Sequence, residues 1–156
     1  MGKKGWPATA RCNRSTTLLV RDQFEGPLRD LCVAQGIAVA PYYGLASGFL
    51  TGKYRTAADL TGKARGSSAE QYMNAFGLGV LAALDKVAAE VRATPAQVAL
   101  AWLAAQSAVA APLASATSVV QVEELLGAMR LNLAAAQLAV LDRASRKPQS
   151  ASISAS

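Results

Sequence analysis

Ile37-Ala-Val-Ala-Pro-Tyr-Tyr-Gly-Leu-Ala-Ser-Gly-Phe-Leu-Thr-Gly-Lys-Tyr54 is the stretch on which the fold turns. Ile37 to Ala40 is a short apolar run directly after Gly36, the pattern of a strand buried on both faces of a parallel sheet. Pro41 ends it, and a segment rich in Gly, Ser and Thr runs on to Ser68. Almost thirty residues is too long for an ordinary connection, and long ordered loops usually carry function. Gly48, Gly52 and Lys53 invite a phosphate-loop reading. It fails on spacing, because the first Gly of GxxxxGK[ST] would fall on Ser47 and Lys53 is followed by Tyr54. Two readings of these glycines stay open: tight turns that need positive φ, or a backbone opened toward phosphate. In α/β folds ligands bind at the carboxyl ends of strands, which is where Pro41-Tyr42-Tyr43 lies.

Working outward, Asp22 is a candidate N-cap for a helix carrying Phe24, Leu28, Leu31 and Cys32, which Gly36 would stop. Phe76 to Val91 has helical periodicity, with Leu81, Leu84, Val87 and Val91 on one face. Thr94-Pro95 pairs a cap with a first-turn proline and starts an Ala-rich helix over 96–106. Val109 to Leu113 is a second strand candidate. Ser118 caps a helix over 119–129, and a last helix covers 134–144. Alternating strands and helices predict a parallel α/β architecture. Two strands cannot bury both faces of a sheet, so the pattern is that of part of a larger fold.

The 156 residues are 52% hydrophobic and 17% charged, a globular composition of one domain. No apolar run reaches the roughly 20 residues of a membrane span, and nothing behind Met1 to Trp6 has the form of a signal peptide. A cytoplasmic protein without a membrane partner is expected. Sixteen Lys and Arg against ten Asp and Glu give a net charge of +6. The cations are scattered and no aromatic is interleaved to stack a base, so no nucleic-acid partner is expected. The chain contains no His, which excludes His-based catalysis and His metal sites within it. Cys12 and Cys32 lack CxxC spacing, and no metal site is expected.

The second strand candidate ends in Leu113-Ala-Ser-Ala-Thr-Ser118 and opens into a helix. Its three hydroxyls, with the free N–H groups of a first helical turn, are an arrangement that suits an anion. Capping by Ser118 accounts for that one residue, but not for Ser115 and Thr117 followed by Gln121 and Glu124.

Four motifs, Asp22-Gln-Phe-Glu-Gly-Pro-Leu28, Pro41 to Tyr54, Thr94-Pro-Ala-Gln-Val-Ala-Leu-Ala-Trp-Leu103, and Ser115-Ala-Thr-Ser118 with Gln121 and Glu124, resemble the aldo-keto reductase family in order and spacing. The resemblance covers residues 18 to 145. It implies the C-terminal portion of a (β/α)8 TIM barrel, an incomplete barrel of strands seven and eight with their flanking helices, since a whole barrel needs about 250 residues. It also implies NADP(H) as cofactor and, in an intact parent, reduction of an aldehyde or ketone by hydride transfer.

Carried over by position, Tyr42 corresponds to the aromatic that stacks on nicotinamide. Tyr43, Gly44, Leu45, Ala46 and Ser47 correspond to the loop around the pyrophosphate, and Lys53 and Arg65 to basic positions on it. Ser115, Thr117, Gln121 and Glu124 correspond to the segment that holds the adenosine 2′-phosphate and adenine. Leu125 stands where the family often has Asn. The family's catalytic Asp, Tyr, Lys and His lie upstream of the matched region, so the resemblance assigns no catalytic residue here and implies a chain inactive alone.

Residues 1–17 are irregular by pattern and do not match. Where the family shows Gln-Pro-x-Tyr-Asn-Leu, this chain reads Cys12-Asn-Arg-Ser-Thr-Thr-Leu18. Shifting the reading frame by one base allows Met-Gln-Pro-Leu-Tyr-Asn, which leads into Leu18-Leu-Val-Arg-Asp22. A frame slip near codon 17, with Met1 a false start, is the expectation; an ordinary divergent N-terminus is the alternative. A Ser-rich tail over 146–156 is expected to be disordered. Three functions are thereby set against one another: the cofactor-binding part of an oxidoreductase, a non-catalytic nucleotide-binding module, and a disfavoured nucleic-acid binder. A partial barrel leaves strand edges and helix faces uncovered, which predicts self-association.

Overall fold

Parallel pairing around one short central strand organises the chain. The computed structural model describes residues 11–12 and 15–147. Strand β1 (Arg11–Cys12) pairs in parallel with β2 (Ala38–Val39), Arg11 opposite Ala38 and Cys12 opposite Val39. The ladder continues in a parallel bridge from Ser15 to Tyr42. On the other side of β2, Val39 bridges to Val109, with Val39 N–H donating to Ala108 C=O (2.9 Å) and Ala110 N–H to Val39 C=O (2.8 Å). Three parallel segments therefore lie side by side with β2 in the middle.

This corrects the reading of residues 1–17 as irregular, because β1 lies inside that segment and Thr16, Thr17 and Leu18 are buried. Of the stretch on which the frame-slip reading rests, Asn13 and Arg14 lie outside the described residues, as do residues 148–156 of the tail. The 109–113 segment pairs only through its first residues and through Leu113 N–H to Pro41 C=O (2.8 Å). Pro112 has no N–H to continue a ladder.

Between the first two strands runs α1 (Pro27–Ala34), the crossover that a parallel pair requires. It begins five residues after the expected cap at Asp22. Gly26 takes φ +96°, which no helix continues, and Pro27 fits the first helical position because its ring presets φ and its missing N–H costs nothing there. The remaining helices are α2 (Gly66–Glu70); α3 (Ala75–Val91), capped by Asn74; α4 (Pro95–Ala104), capped by Thr94; α5 (Val119–Arg130), capped by Ser118; and α6 (Ala135–Ala144). The long loop after β2 is itself structured, with 3₁₀ turns at Ala46–Thr51 and Ala57–Leu60 ahead of α2. Among the described residues no single helix is long and apolar enough to cross a membrane.

The main core is helical. Val80, Leu81, Leu84 and Val87 of α3 meet Val98, Ala99, Trp102 and Leu103 of α4 and Leu141 of α6. Phe49, Leu50 and Tyr54 reach into the same core from the loop, and that burial anchors the loop against the helices. Helix α4 is buried around nearly its whole circumference, as a sequence apolar but for Gln97 demands. Gly127 lets α5 close on α4: the Gln97 amide occupies the space a Cβ would take and donates to Glu124 C=O (3.1 Å). A second, smaller cluster of Phe24, Cys32, Val39 and Ala108 fills the space between α1 and the strands.

Candidate functional site

Two adjoining clefts open where β2 and the 109–113 segment end. The first, about 410 Å³, is lined by Tyr42, Tyr43, Gly44, Leu45, Ser47, Gly48, Arg65, Ser68 and residues 113–115. The second, about 470 Å³, is lined by Leu45, Ser47, Gly48, Thr51, Lys53, Tyr54, Lys63, Arg65, Ser115, Thr117, Gln121, Glu124 and Leu125, among others. Leu45, Ser47, Gly48, Arg65 and Ser115 line both, so the two form one elongated surface.

Of the twelve positions expected to contact a cofactor, all but Ala46 line one cleft or the other. Ala46 is buried beneath the loop, where it shapes the backbone rather than the surface. Lys63 and Ser68 belong to the cleft and were not anticipated. Lys63 carries its own signal in the sequence, since Lys63-Ala64-Arg65 is a local basic pair in the same long loop.

The loop takes an unusual path to reach this position. Tyr43, Ala46 and Ser47 have φ of +63°, +49° and +58°, and Gly48 has +88°. Each non-glycine residue in that region costs roughly 1–3 kcal/mol and persists only where the surroundings over-determine it. Here they do. Ala46 N–H donates to Tyr43 C=O (2.8 Å), Gly48 N–H to Leu45 C=O (2.9 Å), and Thr51 Oγ1 to Gly48 C=O (2.7 Å), while Phe49 and Leu50 are fully buried. Gly44 packs closely on α4, where a Cβ would sit 3.1 Å from the side chains of both Leu100 and Leu103.

The aromatic end of the surface consists of Tyr42 and Tyr43, both substantially exposed, edge to face with centroids 5.7 Å apart. Burial of Tyr72 beside them, with Tyr43 as a second cause, pushes its phenol up from the ordinary range. The other end is cationic. Lys53 Nζ lies 4.9 Å from the centre of the Tyr54 ring. None of the ion pairs among the described residues uses Lys53, Lys63 or Arg65. Three cations thus face one cleft against a single carboxylate, Glu124.

That carboxylate is engaged elsewhere. Glu124 Oε1 accepts a hydrogen bond from Thr94 Oγ1 (2.6 Å), which ties α5 to the start of α4. Gln121 Oε1 accepts from Thr117 N–H (2.8 Å) and Thr117 Oγ1 (3.2 Å), and Gln121 N–H donates to Ser118 Oγ (3.3 Å). The polar residues of this segment therefore complete the N-terminus of α5 as well as lining the cleft. Chemically, the arrangement offers flat aromatic surface at one end, backbone and hydroxyl donors in the middle, and unpaired positive charge at the other. A long anionic ligand with a planar end matches it.

The sequence model of the Aldo/keto reductase family matches residues 3–146 of this chain. Among solved structures, the chain is similar to a thermostable aldo-keto reductase crystallised in complex with the inhibitor epalrestat, with a TM-score of 0.63 and 19% identity. That match covers 86% of this chain and 39% of the other, so the chain spans well under half the length of this solved relative. At that identity the likeness concerns the fold, which is α/β of the type found in that family.

Proposed function

The chain belongs to the aldo/keto reductase family, and from that premise we propose that it is the NADP(H)-binding portion of an oxidoreductase. Residues 18–145 are, in this reading, the part of a (β/α)8 barrel that holds strands seven and eight with their helices. One observation carries the proposal: Lys53, Lys63 and Arg65 converge on one cleft, free of ion pairs among the described residues, next to an exposed aromatic pair.

The donor set fits the cofactor. Guanidinium and ammonium groups suit phosphate oxygens, Arg65 by a planar fork and the two lysines as point charges. Ser115 and Thr117 hydroxyls at the approach to α5 add neutral donors, and the start of a helix favours negative charge. Tyr42 offers a face for the nicotinamide end. The dinucleotide, when bound, supplies hydride for a carbonyl carbon of an aldehyde or ketone. The chain's own residues orient it and neutralise its phosphates. They include no histidine, and proton transfer to the carbonyl oxygen belongs to the catalytic Asp, Tyr, Lys and His of the intact parent. The same feature favours a second reading, a nucleotide-binding module without catalysis.

Titration with NADPH and NADH, followed by quenching of Trp fluorescence, tests the proposal. NADPH is expected to bind more tightly, and Arg65→Ala and Lys53→Ala to weaken NADPH by roughly five- to tenfold and NADH by less, since both dinucleotides carry the pyrophosphate and only NADPH adds the charge of a 2′-phosphate. Equal losses for both dinucleotides would sink the assignment.

A further inference from the structure

The three cations of the cleft are carried by a segment with little of its own to hold it. From Arg55 to Arg65 no side chain is fully buried; Leu60 packs against the core only in part, and full burial resumes at Gly66 and Ala69. One side chain gathers this segment. Arg55 Nη1 and Nη2 donate to the two carboxylate oxygens of Asp85 at 2.6 and 2.8 Å, a bidentate pair. Arg55 Nε donates to Gly52 C=O at 2.7 Å, the carbonyl immediately before Lys53. Its backbone N–H donates to Asp59 Oδ2 at 2.9 Å, the oxygen that also takes the N–H (2.8 Å) and hydroxyl (3.1 Å) of Thr56. Asp85 is rigidly placed, since it follows fully buried Leu84 in the middle of α3.

We propose that Arg55 and Asp85 are a positioning pair that sets the cationic loop against the cleft, so that affinity for an anionic nucleotide depends on two residues outside the cleft lining. The inference rests on the nucleotide-binding reading of that cleft. A single exposed ion pair contributes little, but a guanidinium whose fork is fully used by one carboxylate and one carbonyl fixes direction as well as distance. The turn at Gly52, with φ +80°, is thereby held from both sides, by its own backbone and by the Arg55 side chain.

Charge and position make opposite predictions for Asp85. Asp85→Asn adds one net positive charge to the chain, so long-range attraction alone would tighten binding of an anion. Loss of positioning weakens it. Arg55→Lys keeps the charge and loses the fork, so charge alone predicts no change.

The test uses the full chain with adenosine 2′,5′-bisphosphate as the probe, read by calorimetry, and amide hydrogen exchange read without any ligand. Asp85→Asn and Arg55→Lys are each expected to weaken the probe by roughly threefold at moderate salt. Exchange of amides 53–65 is expected to quicken in both variants while that of α3 holds steady. Tighter or unchanged binding in Asp85→Asn would overturn the proposal, as would unchanged exchange over 53–65. Should the unmodified chain bind no probe, the nucleotide reading fails by itself. The exchange arm then decides alone: faster exchange upholds the clasp and unchanged exchange rejects it.

Discussion

Arg21 and Arg65 are the same residue type at two ends of one small structure, and they do opposite things. Arg21 is mostly buried and both its Nε and its Nη1 are engaged. Its Nε donates to Glu25 Oε1 (2.6 Å), and its Nη1 to Asp142 Oδ1 (3.1 Å) and Ser145 Oγ (2.7 Å). Its Cζ sits 5.2 Å from the centre of the Trp102 ring, and Trp102 Nε1 donates to the same Asp142 oxygen (3.1 Å). The surface depression beside it, about 500 Å³, is flanked by the Arg21–Glu25 and Lys147–Asp22 pairs and by Arg146, which joins no ion pair among the described residues. Arg65, Lys63 and Lys53 have no such acidic partners among the described residues, and the backbone between them and the sheet is held in left-handed conformations. Arg21 at the first end is consumed by the fold, and the three cations at the second are left available to a ligand. The partners of a charge, more than its type or its burial, separate the two roles.

The contrast is most exposed at Trp102. Trp102→Ala removes the largest fully buried side chain and the face beneath Arg21, and should cost about 3–5 kcal/mol in urea unfolding. Arg65→Ala should stay within about 0.5 kcal/mol in the same experiment. A similar loss from both would erase the distinction between the ends. A smaller step probes the polar half of the cluster. Asp142→Ala strands the indole N–H and takes one acceptor from Arg21 Nη1. Because that carboxylate is about a third exposed and Arg21 keeps Glu25 and Ser145, the expected loss is about 1–2 kcal/mol in denaturant midpoint analysis.

The smallest effect is one of pH, confined to the cleft loop. The N–H groups of Arg55 and then Thr56 hold the Asp59 carboxyl below the ordinary carboxylate range. A carboxylate lowered in the folded state supports the fold above its unfolded value, about 3.9, and that support is lost as pH falls through the lower folded value. Amides 55 and 56 should therefore lose exchange protection only in that acid window, ahead of those in α3 and α4. Equal loss in loop and helices would show that the loop is not an independent unit.

How much was legible in the sequence varied by the range of the interaction. Thr94, Pro95 and Ser118 placed the starts of α4 and α5 because capping is decided within four residues. The start of α1 was misjudged by the same local logic. Asp22 has the chemistry of a cap, but Gly26 and Pro27 impose the backbone geometry, and Asp22 instead meets Lys147. Strand β1 was invisible because two residues give no period to read, and it exists only through its register with β2. The cleft residues were legible as motifs, and so was their grouping in two segments about fifty residues apart. What Glu124 and Gln121 do besides lining the cleft was not, since Thr94, thirty positions upstream of Glu124, is the partner that occupies its carboxylate.

Composition, caps and motif order by themselves determined an α/β chain of capped helices around a glycine-rich loop, and its membership of the family, because those signals are local and additive along the chain. Tertiary structure alone decided which cations are spent and which are free, and where the loop stands. Asp142 must come 121 positions along the chain to reach Arg21, and Asp85 thirty positions to reach Arg55, and no local pattern in the sequence records either approach.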